Sequence, residues 1–389
     1  MRLAWGPEEE AFRAELDDFL DTYAPERAMG LDFATSEEEG IPAWAREWQA
    51  TLFDHGWMVP GYPPELGGRN ATPVQTLVFQ EEMASRGLPR SLHFPGWAIV
   101  APSLLEFGTD EQKALAPAAL RGDMVWCIGM SEPSAGSDLA SLTTRAVRDG
   151  DHFLVTGQKV WTSYAMWAQK CFCYVRTNPD VPKHKGISVL IIDMDAPGID
   201  IRPLRQITGT THFAEVFFDD CPVPAENVLG AVDDGWRITM CSLAHERGGL
   251  WLQTVAGVDH ALTDLIALAK RTGADGNQAV RRRLADAHAQ VAALRALGYK
   301  GFSSFAQGSS APEHSYLKVA TSELQKSLFE LGIELEGPAG IVADPSHHAG
   351  AGRWAFSFFT SFASTIAGGT SEIQRNIIAE RVLGLPRGK

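Results

Sequence analysis

Two stretches of the chain carry side chains whose types and setting could do chemistry. The first is "SLAHERGGLW", residues 242–251. Here Glu246 sits among Ser242, Leu243, Ala244, Gly248, Gly249 and Leu250, with little charge around it. Carboxylates rarely occupy such surroundings without a partner or a purpose. Desolvation raises the pKa of a buried carboxylate, towards what proton abstraction requires. Two glycines in one helix cost roughly 1 kcal/mol each relative to alanine, so something is expected to pack closely on that turn. The plainer alternative is an ion pair with Arg247. Adjacent helical residues point in different directions, which makes that pair geometrically poor. The second stretch is "CIGMSEPSAGSD", residues 127–138, small and polar after an apolar approach. Small residues let backbone approach a flat ligand, and free N–H groups can bind anionic oxygens. Composition alone favours a tight surface loop.

The elements that must position these stretches fall into three blocks, an α+β layout. Residues 1–123 read as a helical domain. "PEEEAFRAELDDFLDTYA" places Phe12, Leu16, Phe19, Leu20 and Tyr23 on one helical stripe. "TPVQTLVFQEEMASRG" opens with Thr72 before Pro73 and closes at Gly87, start and stop signals of a helix. Residues 124–228 change to short extended runs, a β-barrel-like middle domain. Asp149-Gly150 between two such runs predicts a hairpin. Residues 229–389 return to helical period. Four helices, the last at "TSEIQRNIIAERVLGL", predict an antiparallel C-terminal four-helix bundle.

Composition removes several classes. The chain has 389 residues, 45% hydrophobic and 21% charged, with net charge −14. That balance suits a globular protein with two or three cores. An acidic chain repels phosphate backbones and anionic lipid, so neither nucleic acid nor a membrane surface is an expected partner. No run approaches the length of a membrane span, and the first residues turn acidic without the apolar run of a signal peptide. Five cysteines without paired spacing suit reduced thiols and a cytoplasmic setting. Cys171 and Cys173 would share one strand face as packing residues. No metal-ligand spacing appears, and His347-His348 reads as a solvated loop.

Motif order then adds a resemblance. "MSEPSAGSD", "GQKVWTSYA" and "TIAGGTSEIQRNIIAERVLGLPR" resemble three motifs of the acyl-CoA dehydrogenase family, in that family's order and over the whole chain. The resemblance implies FAD as cofactor and an acyl-CoA substrate, oxidised to the trans-2-enoyl-CoA. It implies that Met130 and Ser131 meet the flavin pyrimidine edge, and that Gly136 and Ser137 lie near phosphates, Ser137 on the CoA side. It places Trp161, Thr162 and Ser163 at the flavin face and N5 edge. Gly368, Gly369, Thr370 and Glu372 would lie at the cofactor's far end. Read alone, Glu372 is an exposed helix position.

Many members of that family carry the catalytic glutamate where this chain has Gly368. In other branches it comes from the helix opening the C-terminal domain, and Glu246 matches that place. The resemblance therefore implies Glu246 as the α-proton base, Arg247 as a ligand-orienting cation, and the Gly368 N–H as a donor to the thioester oxygen.

The chain also departs from the family's common form. The R-x-x-F-G of the cross-subunit loop is absent from "AKRTGADGNQAVRRRLADAH", and "IELEGPAGI" lacks the usual glutamine. These departures resemble actinobacterial-type members acting on bulky, steroid-like or polyketide-like thioesters. Such members assemble as homotetramers or as α2β2 heterotetramers with a related subunit, and an electron-transfer flavoprotein is the usual acceptor. Two other readings stay open at this level: an oxygen-using oxidase or monooxygenase on the same fold, and a non-catalytic partner subunit.

Overall fold

The computed structural model describes residues 5–25, 40–306, 313–341 and 352–386, with side chains throughout except at 243–251, 305–306 and 314. The N-terminal helices are α1 (Pro7–Tyr23), α2 (Ala43–Asp54), α3 (Pro73–Ser85), α4 (Ala101–Phe107), α5 (Asp110–Lys113) and α6 (Ala116–Arg121). The stripe read from the sequence is the buried face of α1 except at Tyr23, which is exposed: Phe12, Leu16, Phe19 and Leu20 join Trp48, Trp57 and Phe79 in one core. Thr72 caps α3 as its position predicts. Its hydroxyl accepts from Gln75 N, and the Gln75 side chain accepts from Thr72 N. The stretch "GTDEQKALAPAALRGD", residues 108–123, reads as one short helix. The structure divides it into α5 and α6, and a π-helical turn at Gly96–Val100, unmarked by periodicity, precedes α4.

The middle region is an eight-stranded sheet: β1 (Trp126–Gly129), β2 (Arg145–Asp149), β3 (His152–Ser163), β4 (Lys170–Arg176), β5 (Ile187–Asp193), β6 (Ile199–Leu204), β7 (Phe213–Pro224) and β8 (Val228–Leu229). The order is β6-β7-β3-β2-β4-β5-β8, with β1 running parallel on β4. The Asp149-Gly150 hairpin joins β2 to β3, with Gly150 at φ 61°. Cys171 and Cys173 lie buried on one face of β4 with free thiols.

The C-terminal region holds α7 (Gly235–Thr272), α8 (Gln278–Ala306), α9 (Glu313–Glu336), α10 (Arg353–Ser364) and α11 (Ser371–Ile377), the last continued by a π-helical turn to Val382. Helix α9 packs against α7, α8, α10 and α11. Helix α10 is an addition to the sequence reading, which passed over "RWAFSFFTSFAS". It buries Trp354, Ala355 and Phe356. The joint between α7 and α8 is short, Gly273 through Asn277. His347 and His348 lie outside the described residues. Among the described residues no helix is long and apolar enough to cross a membrane, and no group of metal-binding side chains is gathered.

Candidate active site

The loop after β1 is shaped by one buried ion pair. Gly129 ends the strand where a Cβ would stand 3.0 Å from Cys173 Sγ and 3.2 Å from Cys171 Sγ, a tight fit that a larger residue would meet only by shifting those thiols. Met130 and Ser131 follow, both half-buried. The chain then turns, with Glu132 N donating to Ala135 O and Ala135 N to Glu132 O, each at 3.0 Å. The Glu132 carboxylate points inward. It accepts from Thr143 N at 2.6 Å, Thr143 Oγ1 at 2.8 Å, Thr144 N at 2.9 Å and Lys159 Nζ at 2.8 Å. The two charged side chains are 0% and 2% exposed. Burial pushes the acid up, but the Lys159 charge and these hydrogen bonds overcome it and hold Glu132 at about 2. Lys159 Nζ also donates to Met130 O at 3.3 Å.

Lys159 comes from β3, so the same ammonium ties the loop to the second motif. Facing β7, Lys159 pairs with Val216 but Thr162 with Ala214. Two residues, Val160 and Trp161, therefore oppose one, a β-bulge. The bulge frees Val160 N from the ladder, and it donates instead to Ser131 O at 2.9 Å. It also holds Trp161 at φ 59°, a left-handed conformation uncommon for a bulky residue. The indole is turned outward, 60% exposed, with its edge on Phe213. Thr162 is fully buried, and its hydroxyl has no partner among the described residues. Ser163 is half-buried.

Further along the loop, Gly136 and Ser137 are exposed, and a Cβ on Gly136 would meet nothing within 4 Å. The next residue, Asp138, accepts from Lys183 Nζ at 2.8 and 2.7 Å.

A separate group lies at the start of α11. Gly368 and Gly369 both have left-handed φ, 65° and 91°. Their carbonyls are held by Gln374 Nε2 at 2.8 Å and Lys318 Nζ at 2.6 Å. Thr370 caps α11 by accepting from Ile373 N, and Ser371 Oγ donates to Glu323. Glu372 is exposed beside Arg375. No hydrogen bond joins this group to the loop and bulge of the sheet domain among the described residues. The backbone of α7 runs unbroken through 246 and 247, but the side chains of Glu246 and Arg247 lie outside the described residues. Just before them, Ser242 Oγ is bonded to Ser103 Oγ of α4 at 2.8 Å.

Glu132 and Lys159 are the residues that motif reading missed. A signal existed. Lys159 falls in register with the inward positions Phe153 and Val155 of β3, and an inward lysine requires a carboxylate.

Comparison with known proteins fits this arrangement. Acyl-CoA dehydrogenase family models match in series: the N-terminal domain at residues 6–123, the middle domain at 127–221 and the C-terminal domain at 233–383. Acyl-CoA dehydrogenase IpdE1 of Mycobacterium tuberculosis is 38% identical across 97% of this chain and 98% of its own. The chain belongs to the acyl-CoA dehydrogenase family. Two solved structures resemble it over their whole length. The Tcur3481-Tcur3483 steroid ACAD has a TM-score of 0.84 at 32% identity, covering 100% of both chains. The ChsE4-ChsE5 complex from Mycobacterium tuberculosis has 0.82 at 33%, again covering 100% of both. An acyl-CoA dehydrogenase is an FAD oxidoreductase, and the sheet-domain geometry fits such a cofactor. The bulge offers an exposed indole face, an unpartnered buried hydroxyl lies beside it, and the Glu132–Lys159 pair fixes the small-residue loop against it.

Proposed function

We propose that this acyl-CoA dehydrogenase oxidises the α,β bond of a bulky, ring-bearing acyl-CoA thioester to the trans-2-enoyl-CoA, with Glu246 as the α-proton base. The observation that carries the reading is the strap between the two sheet-domain motifs, in which Lys159 bonds both Glu132 and Met130 O while Val160 N bonds Ser131 O. Such a strap keeps Met130 and Ser131 in register with Trp161, Thr162 and Ser163 without spending their own side chains. FAD, when bound, supplies the hydride acceptor.

The chain's own residues divide the remaining work. Met130 and Ser131 would hold the cofactor's polar edge, Trp161 would cover it, and the Thr162 and Ser163 hydroxyls would donate to it. Gly136 and Ser137 would admit phosphate oxygens, Ser137 on the CoA side. The Glu246 carboxylate would take the proton from the α-carbon, with Arg247 orienting the thioester. Gly368 would direct its N–H at the thioester oxygen, where negative charge grows as the proton leaves. Its carbonyl and that of Gly369 are tied back by Gln374 and Lys318, which fixes the two peptides that follow the one carrying this N–H. Gly369, Thr370 and Glu372 would complete the far end. A glycine at 368 also leaves room for a wide acyl group, and the likeness to the Tcur3481-Tcur3483 steroid ACAD supports that substrate class.

The likeness to the ChsE4-ChsE5 complex supports assembly with a related subunit as an α2β2 tetramer. Exposed apolar side chains near the C-terminus, Ile366, Leu383 and Leu385, give such an assembly surface to cover. Electrons would then pass to an electron-transfer flavoprotein. The test is anaerobic addition of steroid-like and straight-chain CoA thioesters to the flavin-loaded protein. Bleaching by the bulky thioesters is expected, with Glu246→Gln abolishing it at unchanged flavin content. Near-normal bleaching by Glu246→Gln would overturn the assignment of the base.

A further inference from the structure

The N-terminal domain buries a cation that the mechanism above does not use. Arg90 follows α3 and is 8% exposed. Among the described residues it makes no ion pair, and its Nε has no hydrogen-bond partner. Its guanidinium carbon lies 4.5 Å from the ring centre of Trp97 and 5.1 Å from that of Phe79. The Trp97 indole Nε1 is itself buried and unpartnered. The Tyr62 phenol lies near enough for the Arg90 charge to act on it. Arg90 Nε and the Trp97 indole thus meet as donors without a partner among the described residues, beside a Tyr62 phenol on which the Glu106 charge also acts. Burial pulls Arg90 down to about 10, which leaves it charged at neutral pH.

A buried, uncompensated guanidinium is costly, and aromatic faces answer only part of the cost. Its planar fork matches a carboxylate bidentately. The place matters as much as the charge. Trp97 stands on the π-helical turn Gly96–Val100, and such turns are frequent at functional sites. That turn and α3 both pack against α7. Along α7, Ser242 bonds α4, while Leu252 and Val255 share a core with Leu77 of α3. The helical stretch carrying Glu246 lies between these two anchors, so it passes the wall where Arg90 is set. An acyl group with its α-carbon at Glu246 would extend along that wall.

We propose that Arg90, flanked by Trp97 and Tyr62, is the recognition point for a carboxylate that the acyl group carries at the end remote from its thioester. This rests on the dehydrogenase reading above and narrows its substrate class to acyl groups with a second, free acid.

The test measures binding and turnover separately. The flavin-loaded protein is titrated calorimetrically with ω-carboxyacyl-CoA thioesters of graded length, each beside its ω-methyl ester. The quantity read is the affinity ratio of acid to ester. A charge-assisted pair predicts a ratio of about ten or more at the fitting length. Arg90→Met brings the ratio near one. Arg90→Lys, which keeps the charge but not the fork, reduces it several-fold and carries the test if Arg90→Met does not fold. A wild-type ratio near one overturns the proposal and assigns the Arg90 charge to a partner within the protein. So does a ratio that neither variant changes. Flavin bleaching is followed in the same samples. Its absence with both thioesters would count against dehydrogenation while leaving the ratio to decide Arg90.

Discussion

Lys159 and Glu132 meet with Nζ and Oε1 2.8 Å apart, both side chains essentially closed to solvent. They belong to two motifs 27 positions apart in the chain, and their contact makes the two motifs one site. Removing one partner of such a pair strands the other charge. Lys159→Met should therefore cost roughly 3–5 kcal/mol in denaturant unfolding. A double replacement, Lys159→Met with Glu132→Leu, should recover only part of it. Thr143 N and Thr144 N would lose their acceptor, and each buried donor left unmade costs about 1–3 kcal/mol. Full recovery in the double variant would mean that the carboxylate's backbone bonds contribute little.

Two buried groups set the acid limb of stability. Burial lowers His93 to about 4, despite its contact with the Trp126 backbone. The folded value lies below the unfolded value of about 6.5, so the unfolded chain binds the proton first. The contribution is complete above about pH 6.5 and is lost as pH falls through 4. Glu132, held at about 2, acts lower: its contribution is complete above about pH 4.5 and is lost towards pH 2. Each window is worth on the order of 3 kcal/mol. Unfolding free energies across pH 7 to 3 should show the first decline already between 6.5 and 5. His93→Gln should flatten that upper part and leave the lower one. A curve flat down to pH 5 in the wild type would contradict the burial of His93.

Trp161 is held in a left-handed conformation and gives 60% of its surface to solvent. That is a poor bargain for folding alone, since a side chain there costs about 1–2 kcal/mol relative to glycine. Trp161→Gly should leave denaturant stability of the flavin-free protein unchanged or up to about 1 kcal/mol higher. Retention of FAD through gel filtration should fall in the same variant. Stability falling together with FAD retention would instead make the indole a packing residue of the bulge.

How far this was readable from sequence depends on which residues carried the information. Helix α1 and the cap at Thr72 are local: a stripe and a three-residue box determine them, and both were legible. The β2–β3 hairpin was legible from Asp149-Gly150 for the same reason. Helix α10 was not, because "RWAFSFFTSFAS" is apolar enough to be read as a buried segment of either kind, and only α9 decides it. The π-helical turn at 96–100 has no composition signal at all. In the site, the motif residues were named by their resemblance, whereas for Glu132 and Lys159 the local pattern marks only an inward lysine, and its pairing with Glu132 is a tertiary fact. Trp161's conformation follows from the bulge against β7, which is likewise a tertiary fact.

The glycine pair at 368 and 369 makes a last prediction. Their carbonyls are fixed by Gln374 and Lys318, and both φ values are left-handed. Those two bonds fix the Gly368–Gly369 and Gly369–Thr370 peptide planes, the two that follow the peptide carrying the Gly368 N–H, and so act on that N–H only by limiting rotation about Gly368. If that amide stabilises charge on the thioester oxygen, loosening it should slow the chemical step more than it weakens binding. Lys318→Met removes one of the two ties at a half-buried position. Its flavin reduction rate at saturating thioester should fall about ten-fold or more, while the thioester's dissociation constant moves by less than about three-fold. Stopped-flow reduction against substrate concentration separates the two. Equal losses in both would make the tie a binding contact, and no loss in either would mean that the Lys318 tie does not position the Gly368 amide.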